Sequence, residues 1–223
     1  MKRITINIVL CCLIFLLKFS GLQAQTVTDI DGNVYHTIKI GTQVWMVENL
    51  KTTRYNDGTR IPNVTDNKAW SNLTTPAYCW YNNDATNYKD SYGALYNWQA
   101  VNTGKLAPEG WHVATNDEWA RLIVFLGGES VAGCKLKEVG TSHWLYPNTG
   151  ATNETGFTGL PGGYRYNVGG SFVGIGKNGI WWSATEAQTN YACVWVVYND
   201  ASYVDYYGYT KRNGLSVRCV KDN

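Results

Sequence analysis

The chain has 223 residues, of which 16% are charged, and 19 Lys and Arg stand against 17 Asp and Glu for a net charge of +2. That near balance, with no stripe of Lys or Arg, lacks the electrostatic footprint of a nucleic-acid binder, so nucleic acid is not an expected partner. Ten Trp and sixteen Tyr provide the bulk for a sizeable core, and no Pro/Ser-rich linker or charge block divides the chain, so one domain is expected.

Residues 1–24 read as an export signal: Lys2 and Arg3, an apolar run from Ile4 to Leu17, then small and polar residues ending Leu22-Gln23-Ala24. Cleavage after Ala24 would leave residues 25–223 as the mature domain, secreted, periplasmic or on the outer cell surface. The apolar run is short for a membrane span and is followed at once by Lys18, so no stable membrane span is expected. Cys11 and Cys12 sit too early for a lipoprotein site and lack the small residue before cysteine.

Alternation from residue 33 to residue 47 predicts a hairpin, Val34 to Ile40 and Gln43 to Val47, about a Gly41-Thr42 turn. Residues 56–75 are polar and irregular. Ala77 to Tyr81 reads as a strand ending at Asn82-Asn83-Asp84. A helix is predicted over Tyr92 to Val101, with Leu95, Trp98 and Val101 inward at spacings of three. The next helix has the best signal: Thr115 with Glu118 forms a capping box, Trp119, Leu122, Ile123 and Leu126 form an apolar stripe, and Gly127-Gly128 ends it. A shorter helix is predicted after Ser130, through Val131 and Cys134.

From Phe157 onward the pattern is all β. Ser171 to Ile175, Ile180 to Ala184, Tyr191 to Tyr198, Ser202 to Tyr207 and Leu215 to Val220 are rich in β-branched and aromatic residues between Gly/Asn/Asp turns. Helices first and antiparallel strands second predict an α+β fold.

Few residues carry readable chemistry. Gly174-Ile175-Gly176-Lys177-Asn178-Gly179 matches G-x-G-x-x-G by letter, but its glycines join two β segments, whereas phosphate binding needs a following helix. Ser171 and Ser183 lie in no nucleophile elbow, and His36, His112 and His143 have no assignable nucleophile partner, so no catalytic residue and no enzyme activity are expected. Asp29-Ile30-Asp31-Gly32-Asn33 is oxygen-rich but fails the EF-hand pattern, which leaves a turn. Cys79, Cys134, Cys193 and Cys219 match no zinc spacing; in an exported protein they allow three pairings, and at least one disulfide is expected. Tyr203, Tyr206, Tyr207 and Tyr209 crowd into one segment with Asp205, Gly208 and Lys211, and alternation there packs one face while the other shows tyrosine to solvent. Rigid amphipathic rings beside Asn and Asp suit sugar or protein surfaces.

Several stretches come in the order of a known family. Asp29-Ile30-Asp31-Gly32-Asn33-Val34-Tyr35, Ile40 to Leu50, Tyr92-Gly93-Ala94-Leu95-Tyr96-Asn97-Trp98, Gly159 to Arg165, Gly179 to Thr185 and Gly214 to Val220 together resemble the Fibrobacter succinogenes major paralogous domain. Gly110 to Trp119 is similar to a signature of formylglycine-generating enzymes, although Ala114 replaces their usual proline, and that resemblance implies a C-type-lectin-like fold. Their reactive cysteine pair is not reproduced, since Cys193 and Cys219 are too far apart in sequence. Family-typical positions of Cys79 and Cys219 imply that these two form the disulfide. Tyr198-Asn199-Asp200 resembles the Trp-Asn-Asp calcium segment of lectins, but no Glu-Pro-Asn or Gln-Pro-Asp partner exists, so the alternatives are a partial calcium site and a plain polar turn. No cofactor is expected, with calcium the one candidate.

The resulting expectation is an exported, non-catalytic recognition domain that binds glycan or a surface protein through Asn199, Asp200, Tyr203, Asp205, Tyr206, Tyr207 and Tyr209. An enzyme acting on envelope or polysaccharide material, and a structural envelope component, are the alternatives.

Overall fold

The computed structural model describes residues 25–222, so the export segment read over residues 1–24 lies outside them. Strand β1 (Thr26–Thr28) pairs antiparallel with β2 (Val34–Ile40), and β2 turns at Gly41 into β3 (Gln43–Met46). The turn needs its glycine, since φ is 61° there and an added Cβ would lie 3.1 Å from the Phe125 ring. The sequence predicted this hairpin almost to the residue.

The next stretch departs more from expectation. Within the polar residues 56–75, Asp66 accepts a hydrogen bond from the Ala69 amide and caps a short helix, α1 (Asn67–Ser71). The strand expected over Ala77 to Tyr81 shrinks to β4 (Tyr78–Cys79), and α2 (Ala85–Tyr92) follows under an Asp84 cap. The helix expected over Tyr92 to Val101 is broken into β5 (Leu95–Tyr96), which pairs with β4, and α3 (Trp98–Val101). Gly93 causes the break: it sits at φ 74°, where its missing side chain lets Asn49 and the Leu50 carbonyl approach a Cβ position to 2.8 Å. Asn97 then restarts helical geometry by accepting from the Ala100 amide.

Strand β6 (Trp111–Val113) leads to α4 (Asn116–Phe125), where the capping box forms as read: Thr115 Oγ1 accepts from the Glu118 amide, and the Glu118 carboxylate accepts from the Thr115 amide. Gly127 and Gly128, both at positive φ, turn the chain into α5 (Glu129–Leu136). The second half holds β7 (Gly162–Arg165), β8 (Phe172–Ile175), β9 (Asn178–Gln188), β10 (Tyr191–Tyr198), β11 (Val204–Thr210) and β12 (Cys219–Lys221). The fold is α+β.

Two sheets organise the molecule. In the larger, ordered β1-β2-β3-β12-β6, the last strand lies between β3 and β6. The second, β11-β10-β9, is buried on both faces of its central strand because alternation sends neighbours to different cores. Trp182, Val194 and Val196 enter a core with Tyr35, Met46 and Trp98, while Trp181, Trp195 and Val197 enter another with Trp45, Trp119 and Phe157. Each buried valine there contributes about 1.5–3 kcal/mol. A third, smaller cluster holds Trp70, Cys79, Tyr81 and Leu95.

The cysteines correct the sequence expectation. Cys79, Cys134, Cys193 and Cys219 are all free thiols. Cys79 belongs to the third cluster and Cys219 to the first, so the family-typical segments that carry them run through different cores and the inferred Cys79–Cys219 bond does not form. Burial pushes the Cys79 thiol up to about 12, and the Cys219 thiol higher still.

Candidate functional site

Strand β11 carries the tyrosine segment, and its register divides the segment between two faces. Tyr206 lies opposite Trp195, while Tyr207 lies opposite Val194 and Asp205 opposite Val196. Tyr206 is 54% exposed and stacks on Trp195 at a centroid distance of 5.1 Å. Trp195 stacks in turn on Trp119, so Tyr206 is the outer member of an aromatic ladder rising from the core.

On the opposite face the rings form a row. Tyr207, 37% exposed, meets Tyr209 edge-on at 5.5 Å. Tyr209 meets Tyr164 of β7 at 5.7 Å, and Tyr164 meets Tyr166 at 6.5 Å. At the other end the Tyr198 hydroxyl donates to Asp205 Oδ2 at 3.1 Å, and the Tyr198 and Tyr203 rings lie 5.8 Å apart. Burial first, then neighbouring hydroxyls, raises Tyr198 and Tyr209 well above an ordinary phenol, so both present neutral O–H groups. A wall of half-exposed rings with hydroxyls and a carboxylate at its edge offers apolar area and hydrogen bonds together.

Asn199 and Asp200 do not join this row. The Asn199 amide donates to the Leu145 and Tyr146 carbonyls and ties the β10–β11 turn to a loop. In the same turn the Tyr198 and Ala201 carbonyls accept, with the Thr149 carbonyl, from the Lys137 ammonium at 2.8 to 2.9 Å. Burial brings Lys137 down to about 8. The carbonyls that a calcium ion could use around Tyr198-Asn199-Asp200 therefore hold an ammonium. Among the described residues, no cluster of three or more His, Cys, Asp or Glu side chains could hold a metal.

The other sequence candidates have structural partners. His112 links Asp222 Oδ1, 2.6 Å from Nδ1, to the Glu118 carboxylate, 2.9 Å from Nε2. Its hydrogen bond to Glu118 raises the imidazole to about 9 against the cost of burial, and Glu118 is held down to about 2. Glu118 and Asp222 share the edge of a cleft of about 400 Å³ with Arg121 and Gln43, but His112 does not line it, and an imidazole held charged by Glu118 is not poised to transfer a proton. His36 pairs with Glu48 and His143 with Glu138. Gly174 to Gly179 forms a tight turn from β8 into β9, with the Lys177 amide donating to the Gly174 carbonyl and no helix after it. Asp29 closes its own turn by accepting from the Asp31 and Asn33 amides and the Tyr35 hydroxyl. Ser183 is buried, and its Oγ accepts from the Thr185 amide.

Sequence reasoning missed Tyr164, Tyr166 and Tyr198 as members of the row. Tyr164 and Tyr166 flank Arg165 in strict alternation after Gly162-Gly163, and that pattern could have flagged a strand with tyrosine on one face. Also missed was a polar groove of about 550 Å³, built from the loop after α1, α3, the loop after β7, the β9–β10 turn and the end of β11 from Thr210 onward. No local sequence pattern marks it, because its residues come from five separate segments.

The sequence model of the Fibrobacter succinogenes major domain matches residues 38–221. No curated protein and no solved structure matches the chain. Among the described residues, no helix is long and apolar enough to cross a membrane.

Proposed function

The chain belongs to the Fibrobacter succinogenes major domain family, and within it we propose an exported, non-catalytic recognition domain of the bacterial cell surface that binds glycan along the tyrosine row. The observation that carries this reading is the placement of Tyr166, Tyr164, Tyr209 and Tyr207 in consecutive edge contact across two separate sheets, with a polar groove lined by Asn167 and Thr210, the residues that follow Tyr166 and Tyr209 in the chain. Rings held on strands bury area against a sugar at low entropic cost, while amides and hydroxyls at their edge select its hydroxyls. The helices α4 and α5, irregular antiparallel sheets and long loops suit a C-type-lectin-like architecture.

The carboxylates speak against the enzyme alternative. A glycosidase keeps one carboxyl protonated near neutral pH, and the carboxylate pair nearest a cleft, Glu118 and Asp222, is bound to one imidazole with Glu118 held down to about 2. A protein partner is a second reading with its own observation: Val124 and Phe125 on α4 are 76% and 63% exposed beside an apolar cleft that includes Ile40 and Ala120.

A glycan array probed with the purified protein, followed by calorimetry, tests the main reading. Tyr207→Ala should weaken the strongest hit by about 2 kcal/mol with the fold intact. Tyr206→Ala should instead cost about 1 kcal/mol of stability by uncovering Trp195, with little change in affinity. Absence of any glycan hit, or equal affinity for wild type and Tyr207→Ala, would reject the reading.

A further inference from the structure

We propose that the groove at the end of the tyrosine row seats an acidic sugar, a uronate whose carboxylate pairs with the Arg212 guanidinium. This rests on the glycan reading and specifies its ligand class.

The groove, of about 550 Å³, is lined by Gln99, Asn167, Asn190, Tyr191, Lys211 and Arg212 among others, and no Asp or Glu lines it. Its two cations are in different states. Lys211 is fully engaged: its ammonium binds Glu186 and the Thr189 carbonyl and lies 4.5 Å from the centre of the Trp98 ring. Arg212 makes one bond, from Nη1 to the Ser71 carbonyl at 3.2 Å, and pairs with no carboxylate among the described residues. A guanidinium carries five N–H donors in a planar fork that matches a carboxylate. Arg165 shows the contrast, since it is buried and makes four hydrogen bonds, to Gly170, Val64, Thr65 and Asn67.

The remaining lining suits the rest of a sugar ring. Gln99 Oε1 is buried without a hydrogen-bond partner, so turning that amide toward a ligand hydroxyl would satisfy it. Tyr191 offers an exposed ring, and the Asn167 and Asn190 side chains add amides that donate and accept. The combination selects a polyhydroxylated ring with one negative group.

The test titrates the purified protein with a panel of uronic-acid oligosaccharides and with the same oligosaccharides after reduction of every carboxyl to the neutral alcohol. At about 0.1 M salt the acid form of at least one member should bind about tenfold more tightly than its reduced form, as for a charge-assisted hydrogen bond. The gap should shrink toward about 1 M salt, where the screening length falls to about 3 Å. Arg212→Gln should close it, Arg212→Lys should restore part of it, and Tyr207→Ala should weaken both forms alike. Equal binding of acid and neutral forms, or a gap that survives Arg212→Gln, overturns the uronate inference and leaves the glycan reading standing. If neither form of any member binds, while neutral glycans of an array do, the inference also falls; if nothing binds at all, the glycan reading falls with it.

Discussion

Removing the positive charge from His112 should loosen the seam where β6, α4 and the end of the chain meet, by an amount set by two carboxylates. The ring lies 2.6 Å from Asp222 and 2.9 Å from Glu118, and the bond to Glu118 raises its pKa from 6.5 to about 9. A group whose folded value lies above its unfolded value contributes stability that is complete below the unfolded value and is lost as pH climbs through the folded one. The window therefore runs from pH 6.5 to about 9. At 1.36 kcal/mol per unit the full shift would be worth about 3 kcal/mol. The His112 side chain is 38% exposed, and solvent screening reduces that to about 1–2 kcal/mol. Glu118, lowered to about 2, reports the same contact from the acid side: its contribution is present above pH 4.5 and lost as pH falls toward 2, and it is not added a second time. Lys137, brought down to about 8 by burial, acts with the opposite sign between there and 10.5, so the informative quantity is the difference between wild type and His112→Gln at each pH. Urea denaturation should give wild type an advantage of about 1–2 kcal/mol at pH ~6 that closes by pH ~10. A margin that stays constant across that range would refute the argument, because it would mean that the ring acts through packing or a neutral hydrogen bond.

Thr115→Ala should lower stability by about 1–2 kcal/mol, since Thr115 Oγ1 both accepts from the Glu118 amide and donates to its carboxylate; an unchanged urea midpoint would remove the cap. Combined with His112→Gln it should cost less than the sum of the two, because both residues bind Glu118. Gly133→Ala places a Cβ 2.3 Å from the Tyr203 carbonyl and 2.7 Å from that of Ser202, so a loss of about 3 kcal/mol is expected from backbone displacement, and a smaller effect in denaturation would mean that α5 is not pressed against the β10–β11 turn. Alkylation of the native protein should leave Cys79 and Cys219 unlabelled and touch only Cys134 and Cys193, whereas denaturation should expose all four; labelling of Cys219 before unfolding would contradict its burial.

What the sequence made legible was local. The Thr115–Glu118 box, the Trp119, Leu122, Ile123 and Leu126 stripe and the hairpin about Gly41 all depend on neighbours within a few residues, and all formed. Leu95, Trp98 and Val101 are buried as their spacing implied, but Leu95 joins a different cluster from Trp98 and Val101. Periodicity reported that these side chains point inward and could not report that Gly93 had to pass against Asn49 and Leu50, which are remote in sequence. The site divides the same way. Alternation on β11 did put Tyr206 and Tyr207 on opposite faces, but both are exposed, 54% and 37%, because neither face of that edge strand is covered there, so the expected split into one packed and one solvent-facing side did not form. Tyr164, Tyr166 and Arg212 reach the row or the groove through contacts between segments that no single segment encodes. The disulfide failed for a related reason: family-typical positions say which segments recur, not which of them share a core.

Three buried cations explain how so irregular a chain can hold a rigid row of rings. Lys137, Arg165 and Arg218 form no ion pair among the described residues. Each instead donates to carbonyls of separate segments: Lys137 to Thr149, Tyr198 and Ala201, Arg165 to Val64, Thr65 and Gly170, Arg218 to Met46, Phe157 and Thr158. Buried loop carbonyls need partners as much as strand carbonyls do, and a multivalent donor satisfies several at once while fastening the segments together. Burying the charge is costly, which is why Arg218 is pulled down to about 9, but the carbonyl dipoles offset that cost. Two of the three cations bear directly on the row. Lys137 fixes the turn between Tyr198 and Tyr203, and Arg165 lies between Tyr164 and Tyr166 with its guanidinium 4.6 Å from the centre of the Trp70 ring. Rings anchored in this way lose little freedom when a ligand arrives, so more of the contact energy along the row is available as affinity.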